Sequence, residues 1–383
     1  MLFATPALTP DELDVVARIE DLRRTLRFQT SGTPVRWTGS LRRAMLARAI
    51  QGSNTIEGYT VDLADAMELA EGEGTVGPAD ETRMAIAGYR DAMTYVLQLA
   101  KDPHFTYSDG LVRSLHFMML RHDMTSSPGL WRPGPVFVHH EPTGQTVYEG
   151  PDAELVPSLM AELVADLQAS TGVPALVRAA MAHLNLVMVH PFRDGNGRLA
   201  RILQSLVLAR EGILAPEFAS IEEYLGANTQ AYYDVLAETG GDAWHPERDA
   251  RAWVRFCLTA HLRQARTLSQ RVEQSERLWS LLEAESARLG LPDRVVIALF
   301  DAAQGFRVRN SQYQVHADVS DYAGGRDLKR LVETDLLEPR GEKRGRFYVG
   351  HPRLLSMVEP IQRRTGGFND DDPFGGEQQA LPL

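Results

Sequence analysis

Apolar residues return at helical spacing through the first two-thirds of the chain, and this pattern predicts a mainly α protein. Thr9-Pro10-Asp11-Glu12 reads as a capping box with proline in the first turn, opening a helix that runs to about Arg27. Further helices are expected over 41–56, 79–99, 107–121 and 156–167. The stretch 135–148 differs, because two short β-prone runs flank Glu141-Pro142-Thr143-Gly144 and predict a hairpin. Leu176, Ala179, Ala180, His183, Leu184, Val187 and Met188 then mark one face of a helix. Pro191 disfavours the α conformation at His190 and should end it there. A second apolar stripe, Leu199, Ile202, Leu203, Leu206 and Val207, begins near Gly197 and stops at Gly212. Two more helices are expected, through 220–236 and 249–273.

The character changes from about residue 291. Short helices over 295–300, 310–316 and 325–333 precede a hairpin over 336–348 with a charged tip, which together predict a winged helix-turn-helix. Arg326, Lys329 and Arg330, with Arg340, Lys343, Arg344 and Arg346, would suit a DNA backbone. Glu333, Glu338 and Glu342 dilute that charge, so a module that docks protein or packs a homodimer is the other reading. The expected division is an N-terminal helical region over 1–105, a core over 106–285, the winged helix over 286–360 and a compositionally disordered tail over 361–383. With its own apolar pattern, the third unit is expected to fold, and to be removable, by itself.

Composition narrows the classes. The 383 residues are 44% hydrophobic and 24% charged, which suits a soluble protein of two or three domains. A net charge of −11 argues against a surface that coats nucleic acid. The single cysteine, Cys257, excludes an intrachain disulfide and a cysteine-based zinc site. The N-terminus lacks a basic and then apolar leader, and no run approaches a membrane span, so a cytoplasmic protein without membrane attachment is expected.

The chemistry is concentrated in His190-Pro-Phe-Arg-Asp-Gly-Asn-Gly-Arg-Leu-Ala-Arg201, the loop between the two apolar stripes. Unpaired N–H groups and the dipole make the following helix start a seat for anions. Gly195 and Gly197 let the backbone come close to phosphate. Arg198 and Arg201, three apart, share the first turn and reach the same side. Asp194 offers a hard oxygen for Mg²⁺ beside phosphate. His139 and His140 are adjacent in a strand and point to opposite faces, so they make a poor metal pair. His183, on an apolar face, reads as a core histidine.

This run resembles the signature of the Fic (filamentation induced by cAMP) family, H-x-F-x-[D/E]-G-N-G-R-x-x-R, without mismatch. The resemblance implies a Fic-type helical bundle with a β-hairpin flap, and transfer of AMP from ATP to a hydroxyl side chain of a target protein, the enzyme itself included. It implies that His190 is the general base, Asp194 the Mg²⁺ ligand, Gly195, Asn196 and Gly197 the phosphate cradle, Arg198 and Arg201 the clamp on the distal phosphates, and Phe192 a buried anchor. Tyr232, Tyr233 or Trp253 would stack on adenine, with Tyr233 favoured, although each reads equally well as a core aromatic. The hairpin resembles the family's flap, which lays a target segment along its edge. Upstream, Ser53-Asn-Thr-Ile-Glu57-Gly58 is similar to the family's inhibitory pattern [S/T]-x-x-x-E-[G/N], whose glutamate pairs with the second signature arginine. Two rival readings are removal of AMP by the same site, and a DNA-binding regulator that senses nucleotide.

Overall fold

The computed structural model describes residues 1–31, 37–72, 80–140, 145–169, 172–212, 216–342, 345–362 and 372–375. Helices come in the order α1 (Pro10–Ser31), α2 (Thr38–Ile56), α3 (Leu63–Ala70), α4 (Glu81–Leu99) and α5 (Asp109–Leu120). The hairpin β1 (Phe137–His140) and β2 (Gln145–Glu149) follows. Next are α6 (Val156–Gln168), α7 (Ala175–Val189), α8 (Asn196–Glu211), α9 (Pro216–Ala219), α10 (Glu222–Ala227), α11 (Thr229–Gly240) and the long α12 (Arg251–Arg288). The C-terminal part holds α13 (Val295–Ala303), α14 (Asn310–Ala317), α15 (Asp321–Glu333), the hairpin β3 (Leu337–Arg340) and β4 (Phe347–Gly350), and α16 (Pro352–Gln362).

Local chemistry explains the main boundaries. Thr9 and Glu12 do close a capping box, with the Thr9 N–H donating to Glu12 at 2.8 Å and the Glu12 N–H to the Thr9 hydroxyl at 3.3 Å. The same carboxylate accepts from Arg251 and Arg255, so the buried Glu12 ties α1 to α12. One large core gathers apolar faces of α1, α4, α5, α6, α7 and α8 with the first half of α12, and Leu2 and Phe3 are tucked into it. His183 and Cys257 are buried there as expected, His183 between Gln204 and the Tyr232 hydroxyl.

The C-terminal part shares its core with earlier helices. A second core unites Leu41, Ala44 and Met45 of α2, Met67 of α3 and Trp279 and Leu282 of α12 with Val295, Leu299 and Phe300 of α13. Helix α12 runs on past residue 273 and past the boundary expected near 285, so one rod serves both cores. Polar bonds reinforce the junction: Arg43 donates to Asp301 at 2.9 Å, Arg307 to Asp65 at 2.5 Å, and Arg309 to Glu68 at 2.8 Å. Expectation and structure differ here because sequence periodicity shows that a helix has an apolar face, and not what covers it. Helices α3 and α16 were not anticipated either; α3 has only eight residues, begun by Asp62 accepting the Asp65 N–H.

Around β3 and β4, Val308 pairs with Tyr348 across two backbone bonds of 2.8 Å and extends the hairpin by one bridge. Several of the basic side chains expected to face DNA have partners within the chain. Arg340 meets Glu338 at 3.1 Å, Lys329 meets Glu333 at 3.7 Å, and Arg330 donates to the Gly290 carbonyl. Lys343 and Arg344 lie outside the described residues, as does most of the tail from Thr365. Within that tail the Phe374 ring lies beneath Arg255, 5.1 Å from the guanidinium carbon. No helix among the described residues is long and apolar enough to cross a membrane.

Candidate active site

Helices α7 and α8 form the floor, and the loop between them carries the sequence motif. His190 ends α7 in the left-handed region at φ 48°, a conformation that is unfavourable for a residue with a Cβ. Arg132 holds it there: its Nε donates to the His190 carbonyl at 2.8 Å and its backbone N–H to the Pro191 carbonyl at 2.9 Å. The ring is fixed too. Nδ1 lies 3.0 Å from the Val187 carbonyl, which can only accept, so Nδ1 carries the proton and Nε2 keeps its lone pair. Burial lowers the His190 pKa below the ordinary value and favours that neutral form.

The loop is closed from inside. Phe192 is fully buried, as expected of an anchor. The Asn196 amide spans the turn, accepting the Phe192 N–H at 3.0 Å and donating to the Phe192 carbonyl at 2.9 Å. Its side chain is therefore occupied, and what Asn196 can offer a ligand is its backbone. Gly195 follows at φ 74° and starts α8. At Gly197 a Cβ would come within 2.7 Å of the Glu57 carboxylate, so only glycine admits that close approach.

Both signature arginines are buried, each only 1% exposed. Arg201 is claimed by α2: Nε donates to the Ser53 hydroxyl at 2.7 Å, and Nη2 donates to the Ser53 carbonyl at 3.0 Å and to Glu57 at 2.7 Å. The two expected residues of the upstream motif thus meet the second arginine of the downstream one. Burial pushes the Glu57 pKa up, but Arg201 and then Arg198 outweigh it and hold the carboxyl below its ordinary value. Arg198 meets the half-exposed Asp194 carboxylate at 3.2 Å and lies 5.1 Å from the centre of the Tyr59 ring. Arg198 Nε and Nη1 and Arg201 Nη1 are buried without an acceptor among the described residues. Buried cationic N–H groups left unpaired are costly, and these three could take an anionic acceptor.

The three aromatic candidates separate. Trp253 is core, its indole N–H donating to the Ala180 carbonyl, and Tyr232 is buried against His183. Tyr233 is 45% exposed and donates its hydroxyl to the Ile56 carbonyl at 3.2 Å, beside the end of α2. The hairpin β1–β2 sits over the site, anchored by the Tyr148 hydroxyl donating to the Met188 carbonyl at 2.7 Å. Its tip at 141–144 and the side chains of His139 and His140 lie outside the described residues. Among the described residues, no group of three or more His, Cys, Asp or Glu could hold a metal. Tyr59, Arg132 and His116 belong to the site and were missed from sequence; each is a lone residue outside any motif, placed there only by tertiary packing.

Comparison with known proteins agrees with this geometry. Residues 107–208 match the model of the Fic/DOC family. "Protein adenylyltransferase Fic" of Drosophila yakuba is 33% identical over 227 residues, 57% of this chain and 41% of that protein. "Protein adenylyltransferase fic-1" of Caenorhabditis elegans is 24% identical over 262 residues, 65% of this chain and 49% of that protein. The chain spans less than half the length of these curated relatives. Among solved structures, a Fic family protein from Desulfovibrio desulfuricans superimposes with a TM-score of 0.58 at 24% identity, over 91% of this chain and 98% of that one. The Fic-1 structure from Caenorhabditis elegans gives 0.53, also at 24% identity, over 70% and 73%. The loop, its two helices and the packing around them therefore lie in a Fic/DOC family domain, which spans residues 107–208 of this chain.

Proposed function

We propose that the chain is a protein adenylyltransferase that moves AMP from ATP to a hydroxyl side chain of a target protein, itself included, and that Glu57 restrains it. The observation that carries the reading is the pairing of a neutral, tautomer-fixed His190 with two buried arginines, of which Arg198 Nε and Nη1 and Arg201 Nη1 have no acceptor among the described residues. The Nε2 lone pair takes the proton of the target hydroxyl as its oxygen attacks the α-phosphorus of ATP. The bond to the bridging oxygen breaks, and pyrophosphate leaves with the electron pair. Arg198 and Arg201 neutralise the distal phosphates, while the N–H groups at the start of α8 face the phosphate chain. Mg²⁺ fits the donor set, since one carboxylate with phosphate oxygens and water is its usual company. Asp194 would hold it, and the ion would supply charge neutralisation on the phosphates.

Restraint follows from competition for Arg201. A carboxylate and a phosphate offer a guanidinium the same pair of oxygens, and Glu57 already occupies Nη2. Winged-helix architecture suits α13 to β4, where α15 would take the place of a recognition helix. The names of the curated relatives support the transferase reading at the level of the family. The test is incubation with ATP labelled at either the α- or the γ-phosphate. Label from the α position alone should become covalently bound to protein; transfer from the γ position would mark a kinase and refute the proposal.

A further inference from the structure

His116, on α5, is fully buried behind the catalytic loop, and both its ring nitrogens are spent on backbone groups of two separate loops. The Gly129 N–H donates to Nδ1 at 2.8 Å. An N–H has no lone pair, so Nδ1 must be bare and Nε2 must carry the ring proton. Nε2 in turn lies 2.9 Å from the Asp194 carbonyl, to which it donates. The ring also stacks on Phe192, with centroids 3.7 Å apart and planes 7° from parallel. A core histidine needs partners for its nitrogens, but nothing in packing alone directs one of them to the peptide that opens the phosphate cradle.

The Asp194 carbonyl and the Gly195 N–H belong to one planar trans peptide, so they point in opposite directions. With the carbonyl drawn toward α5, the Gly195 N–H must face away from α5. Leu120 and Met119 of α5 close the near side, where a Cβ on Gly195 would meet them at 2.7 and 2.8 Å. We infer that His116 is a positioning residue: by holding the Asp194–Gly195 peptide it sets both the direction of the Gly195 N–H toward phosphate and the seat of the Asp194 carboxylate for the metal. This rests on the adenylyltransferase reading above and assigns His116 no contact with substrate.

The test uses the full chain carrying Glu57→Gly as parent, with His116→Phe and His116→Gln added to it. Phenylalanine keeps the stack and loses both hydrogen bonds, whereas glutamine can return an N–H to the Asp194 carbonyl. Two readouts are taken on protein whose melting shows it folded. The first is amide hydrogen exchange of 191–197 without ligand, and the second is the half-saturating Mg²⁺ concentration for transfer from ATP. His116→Phe should speed exchange and raise the Mg²⁺ requirement by about tenfold each, the scale of one ordinary hydrogen bond, and His116→Gln should recover most of both. A merely structural role would lower the amount of active protein and leave the Mg²⁺ midpoint unmoved, which would overturn the inference, as would unchanged exchange in His116→Phe. A parent that transfers nothing would refute the adenylyltransferase reading instead, and the exchange rates would still decide whether His116 holds the loop.

Discussion

Replacing Glu57 by glycine isolates the proposed restraint from the rest of the site. The end of α2 does not depend on the side chain, because the Glu57 N–H donates to the Asn54 carbonyl at 3.1 Å and the backbone there has φ −94°. Arg201 loses one of its three bonds and keeps the two to Ser53. A hydrogen bond to a charged group contributes a net 1.5–3 kcal/mol, roughly. Glu57 is only 23% exposed, so solvent screens little of that. If this free energy is what a γ-phosphate must overcome to reach Nη2, its removal converts to an increase of roughly 10–150-fold in transfer at subsaturating ATP. The assay is the initial rate of self-labelling from α-labelled ATP, with protein folding checked by circular dichroism. Glu57→Gln should give a smaller rise, since an amide oxygen still accepts from Arg201 without charge. An unchanged or lower rate in a folded Glu57→Gly protein would refute the restraint and favour a role for Glu57 in removing AMP.

Three further outcomes follow from the geometry. His190→Ala should cut transfer by roughly 10²–10⁴-fold while calorimetry shows ATP still bound, because affinity comes from the arginines and the helix start; near-normal labelling would remove His190 from the mechanism. Stability should fall as pH drops from 6.5 to 5, because the unfolded chain takes up protons there while burial holds folded His116 and His183 neutral down to about 4 and about 3. The slope is about 1.4 kcal/mol per pH unit for each histidine, and a flat urea midpoint across that window would contradict it. A fragment ending at residue 285 should be poorly folded, since it uncovers Leu41, Met45, Trp279 and Leu282 at a cost on the order of 1.5–3 kcal/mol each; an equally stable soluble fragment would show that the second core is dispensable.

Much of this site was legible because its residues are adjacent in sequence. Twelve positions of one loop and two helix ends are written consecutively from His190 to Arg201, and periodicity on either side mounts them. The meeting of Glu57 with Arg201, 144 residues apart, was legible only through a second motif, since spacing carries no information about tertiary distance. His116 and Arg132 had no such signal. Each acts through backbone carbonyls of the loop, and a side chain that serves a backbone leaves no complementary residue type to notice. Tyr232 and Trp253 could be read either way: an aromatic near a ligand site and an aromatic in the core are the same letters until burial separates them. The C-terminal unit carries a further lesson, because its apolar stripes read as complete in themselves while its cover is shared with α2.

That shared cover has a consequence during synthesis. Arg43 of α2 finds its partner Asp301 258 residues later in the chain. At roughly 5–20 residues per second, the ribosome needs on the order of 10–50 s to deliver the second wall of α2 after α2 itself. The loop at 190–201 and the first half of α12 emerge well inside that interval. A nascent chain therefore has the materials of its anion cradle before the helix bearing Ser53 and Glu57 is gripped on both sides, and the grip closes only when α13 leaves the exit tunnel.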